Sequence, residues 1–189
     1  MKSALKKSMK FSLTIAVITF VLAAVFSVIS SSILNDVFWT IGLVIVFVIV
    51  FLGVGFDMLG IAATAASEAP FHAMAAERVT GARESVIIVR NADKFASFCN
   101  DVIGDISGIV SGTASSIVVL QIANLINSSH GSIYIVLNVL LTSLVAAVTV
   151  GGKAVGKTLA IHSSTDIIFW AGKTIAFIER HTKIRLLPK

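Results

Sequence analysis

The chain has 189 residues, of which 56% are hydrophobic and only 13% are charged, and its mean hydropathy is +0.96. Average soluble domains carry about 25% charged residues, so this composition excludes a soluble enzyme, a disulfide-rich scaffold and a disordered tail. The net charge of +5 would suit nucleic acid, but the basic residues flank apolar runs of bilayer length. We therefore interpret the chain as an integral membrane protein whose lysines and arginines face anionic lipid.

Four apolar runs are long enough to cross a membrane, because a spanning helix needs about 20 predominantly apolar residues. They predict spans at about residues 11–34, 38–66, 95–126 and 133–150. The first run follows four lysines and is too long for the apolar region of a cleaved signal, so we expect an uncleaved anchor. Polar turns at 35–37 and 127–131 follow the first and third spans. The predicted fold is all-α, with four transmembrane helices in a single membrane domain, residues 1–189.

The positions of lysine and arginine predict the orientation. The N-terminus and the connector, residues 67–94, each carry four of them, and the tail, residues 151–189, carries seven, whereas the turns at 35–37 and 127–131 have none. Short loops rich in these residues stay in the cytoplasm. We therefore expect both termini and the connector to be cytoplasmic in a multi-pass protein of a bacterial plasma membrane. The connector should be a solvated helical stretch.

The third span carries the most informative polar residues. Asp101 and Asp105 are four residues apart and so share one helix face, with Asn100 beside them, and Asp57 lies on the preceding span. An ionised Asp at mid-bilayer costs about 2.5 to 3.5 kcal/mol on insertion scales, so these acids should face the bundle interior or a water-filled cavity. At 1.5 Å per residue, all three acids are expected about 9 to 15 Å from the inner boundary.

Oxygen donors at a common depth, with no Lys, Arg or His expected at that level, are the ligands that Mg²⁺ or Ca²⁺ prefers. We predict a metal site formed by Asp57, Asn100, Asp101 and Asp105, at which a divalent cation would be the transported ion rather than a resident cofactor. One alternative is a proton relay. Another is that these residues cap a broken helix or line a wet vestibule as structural polar groups.

Three glycines continue this face of the third span: Gly104, Gly108 and Gly112. They form two overlapping small-xxx-small repeats, which let another helix backbone approach closely within a bilayer. We expect a helix-packing face here and, with it, a homodimer.

Residues 151–158 match the phosphate-loop pattern G-x-x-x-x-G-K-[ST]. That loop works only between a buried strand and a helix, with a second strand that ends in an Mg-binding Asp. Here the preceding segment is an apolar run of bilayer length, and only 31 residues follow. We therefore expect no nucleotide site. We expect no enzyme either, because no pair of nucleophile and base occurs near the membrane surface.

A further helix is predicted in the tail, where Ser164 or Thr165 can cap a helix beginning at Asp166. Its apolar residues recur at helical spacing: Ile168, Ala171, Ile175 and Ile178. An amphipathic helix with a basic polar face, next to a span, usually lies in the membrane interface, and Trp170 suits the headgroup region. We expect this juxtamembrane helix to lie on anionic lipid at the inner surface. The alternative is that its apolar face packs on a partner protein.

Three stretches resemble the transmembrane domain of the CNNM/CorC (cyclin M, CorB) family, which is associated with magnesium and cobalt efflux. Ala-Ala-Glu-Arg with Gly-Ala, at 75–82, is similar to the family's Leu-Ala-Glu-Lys…Gly-Ala connector. Asn-Ala-Asp-Lys-Phe, at 91–95, is similar to its Asn-Pro-Asp-Arg-Phe motif. Residues 152–160 resemble its Gly-Glu-x-x-Pro-Lys-Thr-Leu-Ala segment. The resemblance covers about residues 38–180 and implies three core spans, a cytoplasmic C-terminus and divalent-cation transport.

The chain also departs from the family pattern. Lys153 stands where the family has Glu, and Gly156 stands where it has Pro. The Ser-Glu pair of the family's first span has no clean counterpart, and we expect a divergent member without CBS domains. Two hypotheses follow: a divalent cation transporter or exporter, and a non-transporting structural or regulatory membrane protein that retains the fold.

Overall fold

The computed structural model describes residues 2–126 and 132–182. All elements in this part of the chain are helical: α1 Lys2–Asp36, α2 Trp39–Ala65, α3 Glu68–Ala76, α4 Ala82–Arg90, α5 Ala92–Ser97, a π-helical segment Phe98–Gly104, α6 Asp105–Leu125, α7 Ser132–His162 and α8 Ser164–Thr182. The predicted all-α class is confirmed. The predicted turn at 127–131 and the tail beyond residue 182 lie outside the described residues.

Within the described residues, four helical stretches are long and apolar enough to cross a membrane: Ser12–Asp36, Trp39–Ala65, Ala92–Leu125 and Ile133–His162. Their number confirms the prediction of a multi-pass membrane protein. Helix α7, which contains the fourth of these stretches, continues past residue 150, where the predicted span ended. Residues 151–158 are therefore helical rather than a loop. Because the sequence after residue 150 contains no proline before residue 188, nothing in the backbone chemistry requires the helix to stop.

The contacts divide the chain into two compact units, and the first comprises Met1–Val54 and Val102–Gly152. A core cluster lies on the third span at a spacing of four residues, which places its members on one helix face. The cluster consists of Val102, Ile106 and Val110, with the partly buried Ile15, Leu22, Ala23 and Ile49 packed against it. The third span therefore packs against both α1 and α2 within this unit.

The turn between α1 and α2 is held by a polar contact from α6. The Gln121 amide Nε2 donates to the carbonyl oxygens of Leu34, at 2.7 Å, and Val37, at 3.2 Å. A methyl group on Gly42 would lie 2.9 Å from Val118 Cγ2 and 3.2 Å from Leu34 Cδ2, so glycine permits the close approach of the three helices here. Carbonyls at a helix end have no partner within the helix, and Gln121 supplies one.

The second unit comprises Gly55–Asp101 and Lys153–Lys189. Its buried core joins the end of α2, the connector helices, the end of α7 and α8: Ala62, Ala63, Phe71, Val86, Ile88, Ala160 and Ile168. Phe71 and Ile88 are completely buried. The connector helices α3 and α4 therefore belong to a packed body, whereas we predicted one solvated helical stretch.

A short irregular turn separates α3 from α4. Arg78 has a φ of 58° and Gly81 a φ of 92°, both in the left-handed region that ends or interrupts right-handed helices. Residues with a side chain rarely adopt this backbone conformation, whereas glycine adopts it without steric cost. The connector is therefore two helices separated by a turn, and both place apolar residues in the same core.

Helices α4 and α8 cross with almost no side chain between them. A Cβ atom on Gly81 would lie 2.7 Å from the Cα of Lys173, and one on Gly172 would lie 3.0 Å from the backbone nitrogen of Ser85. The buried Ser85 hydroxyl lies 2.9 Å from the Gly81 carbonyl oxygen and 3.1 Å from that of Ile168. Two glycines and a serine thus bring the two backbones into contact.

Helix α8 begins at Ser164 rather than at Asp166, and the first part of its apolar stripe turns inward, whereas Ile178 is 39% exposed. Ile168 is completely buried, although we predicted that it contacts lipid. The reason is that α4 offers Val86 and Ile88 as an apolar surface within the same unit. Trp170, by contrast, is 66% exposed and remains available to a membrane surface.

Candidate functional site

Asp57 lies in the last third of α2. Its side chain is only 16% exposed, and Oδ1 lies 3.5 Å from the Nζ atom of Lys153. The prediction that no basic residue lies at this level is wrong, because α7 continues past residue 150 and carries Lys153 to the carboxylate. Burial of a carboxylate is costly without an opposite charge, and Lys153 provides that charge.

The contact is an ion pair rather than a tight hydrogen bond. Charge-assisted hydrogen bonds between ammonium and carboxylate groups measure about 2.7 to 2.9 Å, shorter than the 3.5 Å observed between Lys153 and Asp57. The Lys153 side chain is 28% exposed and keeps three donor hydrogens on a flexible stem. The ammonium group can therefore leave the carboxylate at a smaller cost than a bidentate arginine could.

Asn100 lies in the π-helical segment and packs against Gly60 of α2. A Cβ atom on Gly60 would lie 2.7 Å from Asn100 Cγ and 3.0 Å from its Nδ2, so only glycine leaves room for the amide. Asn100 Oδ1 is buried and accepts no hydrogen bond from any residue in the described part of the chain. An unsatisfied buried acceptor costs about 1 to 3 kcal/mol, so this oxygen can bind a hydrogen-bond donor or a cation at a gain.

The π-helical segment Phe98–Gly104 is the element that sequence analysis missed. Segments of π-helix are rare and occur frequently at functional sites, where the wider turn changes the direction of side chains. Hydropathy does not distinguish a π-helix from an α-helix. The only available sign was the group of polar residues and glycine between 100 and 105 in an otherwise apolar run.

The two acids of the third span lie on exposed positions. Asp101 is the last residue of the second unit's first segment, and Asp105 begins α6 in the first unit. Residues 2–126 and 132–182 contain no group of three or more His, Cys, Asp or Glu side chains that could hold a metal ion. The four-ligand site therefore stays a prediction. The structure gives contacts for two of its four members, Asp57 and Asn100.

The three predicted packing glycines have different surroundings. Gly104 is buried, and its carbonyl oxygen would lie 3.7 Å from a Cβ atom on Gly53 of α2. The same Cβ atom would lie 2.7 Å from Ser107 Cβ, so α2 and the third span are in close contact here. A Cβ atom on Gly108 or Gly112 would have no such neighbour within 4 Å in the part of the chain that the structure describes. Their role in helix packing remains a prediction about a partner chain.

The connector carries an exposed ionic cluster away from the spans. Arg90 Nε donates to Glu68 Oε2 at 3.0 Å, and His72 Nε2 lies 3.1 Å from the same oxygen. Two hydrogen bonds hold the pKa of Glu68 below its usual range, and the one from Arg90 has a larger effect than the one from His72. This cluster links α3 to α4.

The chain matches no family profile, no curated protein sequence and no solved structure.

Proposed function

We propose that the protein carries a divalent cation such as Mg²⁺ across a membrane, as the resemblance to the CNNM/CorC family implies. The observation that carries this proposal is a largely buried carboxylate on α2 and a buried, unpartnered amide oxygen that packs against the adjacent turn of the same helix. Asn100 packs on Gly60, which is three residues from Asp57 and so lies on the adjacent turn of α2. Carboxylate and amide oxygens are the ligands of hard cations.

Lys153 defines how such a site would operate. Its ammonium group neutralises Asp57 when no ion is bound. A divalent cation that binds Asp57 must displace it, because two cations on one carboxylate repel each other. Ion binding and movement of Lys153 would therefore be coupled. The exposed Asp101 and Asp105 would attract the cation rather than bind it most tightly.

The same ion pair supports a second candidate, a non-transporting structural or regulatory membrane protein. A fixed lysine satisfies the buried carboxylate without any metal, and the resembling family has Glu rather than Lys at this position. In that case Asp57 and Lys153 would contribute only to folding. The two candidates make opposite predictions about the response to divalent ions.

The proposal includes an orientation and partners. Both termini and the connector face the cytoplasm of a bacterial plasma membrane, since Lys and Arg concentrate there. Gly108 and Gly112 serve the interface of a homodimer. On α8, the exposed Trp170 faces anionic lipid, with Lys173 Nζ 5.3 Å from the centre of its ring. No nucleotide, nucleic acid or enzymatic activity is part of the proposal.

The test combines ion-dependent stability with transport. Purified wild type should gain thermal stability in millimolar Mg²⁺, Mn²⁺ or Ca²⁺, because a ligand that binds only the folded state stabilises it. Asp57→Asn and Asn100→Ala should abolish most of this gain, whereas Asp166→Asn, which removes an exposed carboxylate on α8, should not. Asp101→Asn and Asp105→Asn should slow uptake into proteoliposomes more than they weaken binding.

Proteoliposomes loaded with a Mg²⁺-sensitive dye measure the transport itself. Uptake that depends on Asp57 supports the transporter. If wild type shows neither uptake nor an ion-dependent shift in melting temperature, the cation site is refuted and the structural role of the Asp57–Lys153 pair remains.

A further inference from the structure

A cavity of about 540 Å³ lies in the second unit, beside the turn between α3 and α4. Three arginines line it: Arg78 in the turn, Arg83 in the first turn of α4 and Arg180 near the end of α8. The cavity is formed by the connector and α8 alone, away from Asp57. Its lining includes none of the predicted cation ligands.

The three guanidinium groups form no salt bridge with any residue in the described part of the chain. In that part of the chain, salt bridges join His72 and Arg90 to Glu68, and Lys153 to Asp57, and none involves these three arginines. Glu179 also lines the cavity, but it has an interaction of its own. The three arginines outnumber the two carboxylates that also line the cavity, Glu84 and Glu179. An anion between the guanidinium groups would offset their mutual repulsion.

The backbone on one wall of the cavity is closely packed. Gly81 precedes α4, and Arg83 and Glu84 both lie in the first turn of that helix. The Gly81–Gly172 contact between α4 and α8 fixes this wall of the cavity. An arginine fork binds phosphate oxygens in pairs, so a phosphate group is an anion that three arginines around one cavity suit well.

We propose that this arginine cavity binds a phosphate group that carries hydroxyl substituents, as in the headgroup of a glycerol phospholipid or in a soluble glycerol phosphate. Glu84 is the reason for including the hydroxyl groups. It lines the same cavity, and its carboxylate can accept hydrogen bonds from hydroxyls on the ligand. A carboxylate next to a bare phosphate would only repel it. We therefore expect glycerol phosphate to bind more tightly than inorganic phosphate.

The experiment uses the full-length protein in detergent. Native mass spectrometry with phosphatidylglycerol and phosphatidylcholine measures lipid binding, and calorimetry with sn-glycerol 3-phosphate and inorganic phosphate measures soluble ligands. In the triple variant Arg78→Gln, Arg83→Gln and Arg180→Gln, affinity for the phosphate ligand should fall at least about tenfold, which corresponds to about 1.4 kcal/mol. Lys157→Gln, an exposed residue outside the cavity, should change the affinity less than about twofold.

The outcomes identify the source of the phosphate. Arginine-dependent retention of phosphatidylglycerol alone identifies a lipid site, and arginine-dependent binding of glycerol phosphate alone identifies a soluble ligand. Glu84→Gln should reduce the preference for glycerol phosphate over inorganic phosphate without removing binding. Circular dichroism checks that the variants keep their helices, and Arg83→Lys, which retains the charge but loses the fork, should bind with intermediate affinity. The proposal is overturned if no phosphate ligand binds wild type, or if Lys157→Gln weakens binding as much as the triple variant does.

Discussion

Removal of the Lys153 ammonium group should expose how much Asp57 depends on it. Over the 3.5 Å between the two charged atoms, Coulomb's law with an effective dielectric constant of about 20 gives a gross attraction of about 5 kcal/mol. Most of that attraction offsets the loss of hydration, and the pair is only partly buried, so we expect Lys153→Met to lower the free energy of unfolding by about 1 to 3 kcal/mol.

A double-variant cycle separates the pair from its surroundings. Asp57→Asn removes the buried charge, so the variant that carries both substitutions should recover much of the stability lost in Lys153→Met alone. Thermal melts monitored by circular dichroism measure all four proteins, with Lys157→Met as the matched control. Equal melting temperatures for wild type and Lys153→Met would refute the reasoning.

The same variants test the proposed competition with the ion. Without the ammonium group, the Asp57 carboxylate is open to a divalent cation, so the Mg²⁺-dependent rise in melting temperature should be larger in Lys153→Met than in wild type. The rise should vanish when Asp57→Asn is added. A rise that is the same with and without Lys153 would mean that the ion binds elsewhere.

Three other predictions concern the second unit and the orientation. Gly172→Ala should lower the melting temperature by several degrees in a thermal melt, because the added methyl group would overlap the Gly81 carbonyl oxygen and the Ser85 hydroxyl. Arg90 lowers the pKa of Glu68, so the stabilisation from this contact is present above the ordinary pKa of Glu and is lost as the pH falls through the lowered value. Melts between pH 3 and 7 on wild type and Glu68→Gln measure that loss, which the variant should lack. In a cysteine-free background, Asp36→Cys should react with an impermeant thiol reagent on intact cells and Glu84→Cys should not. The reverse pattern would refute the orientation.

The number of spans was predictable because it depends on the lengths of apolar runs, which are directly visible in the sequence. The partner of each helix face was not predictable. The spacing of Ile168 and Ile175 indicated an apolar face on α8, but periodicity is the same whether that face meets lipid or the connector helix α4. Only the folded chain identified the partner.

The candidate site was predictable in its residue types but not in its contacts. Asp57 and Asn100 stood out as polar residues in apolar runs. In the structure the Asp57 side chain is largely buried, and Asn100 Oδ1 is buried. The partner of Asp57 was missed because Lys153 was assigned to the tail after an early end of the fourth span. The approach of Asn100 to Gly60 depends on the π-helical segment, which has no signature in hydropathy.

The hydrogen bonds from Gln121 have a consequence for biosynthesis. The acceptor at Leu34 is 87 residues earlier in the chain, so the ribosome completes the first two helices well before the donor exists. Until the third span enters the bilayer, the carbonyls of Leu34 and Val37 must remain with water at the membrane surface. The hairpin of α1 and α2 is therefore fastened late, and a nascent chain arrested before Gln121 should hold its first helix less firmly than the finished protein does.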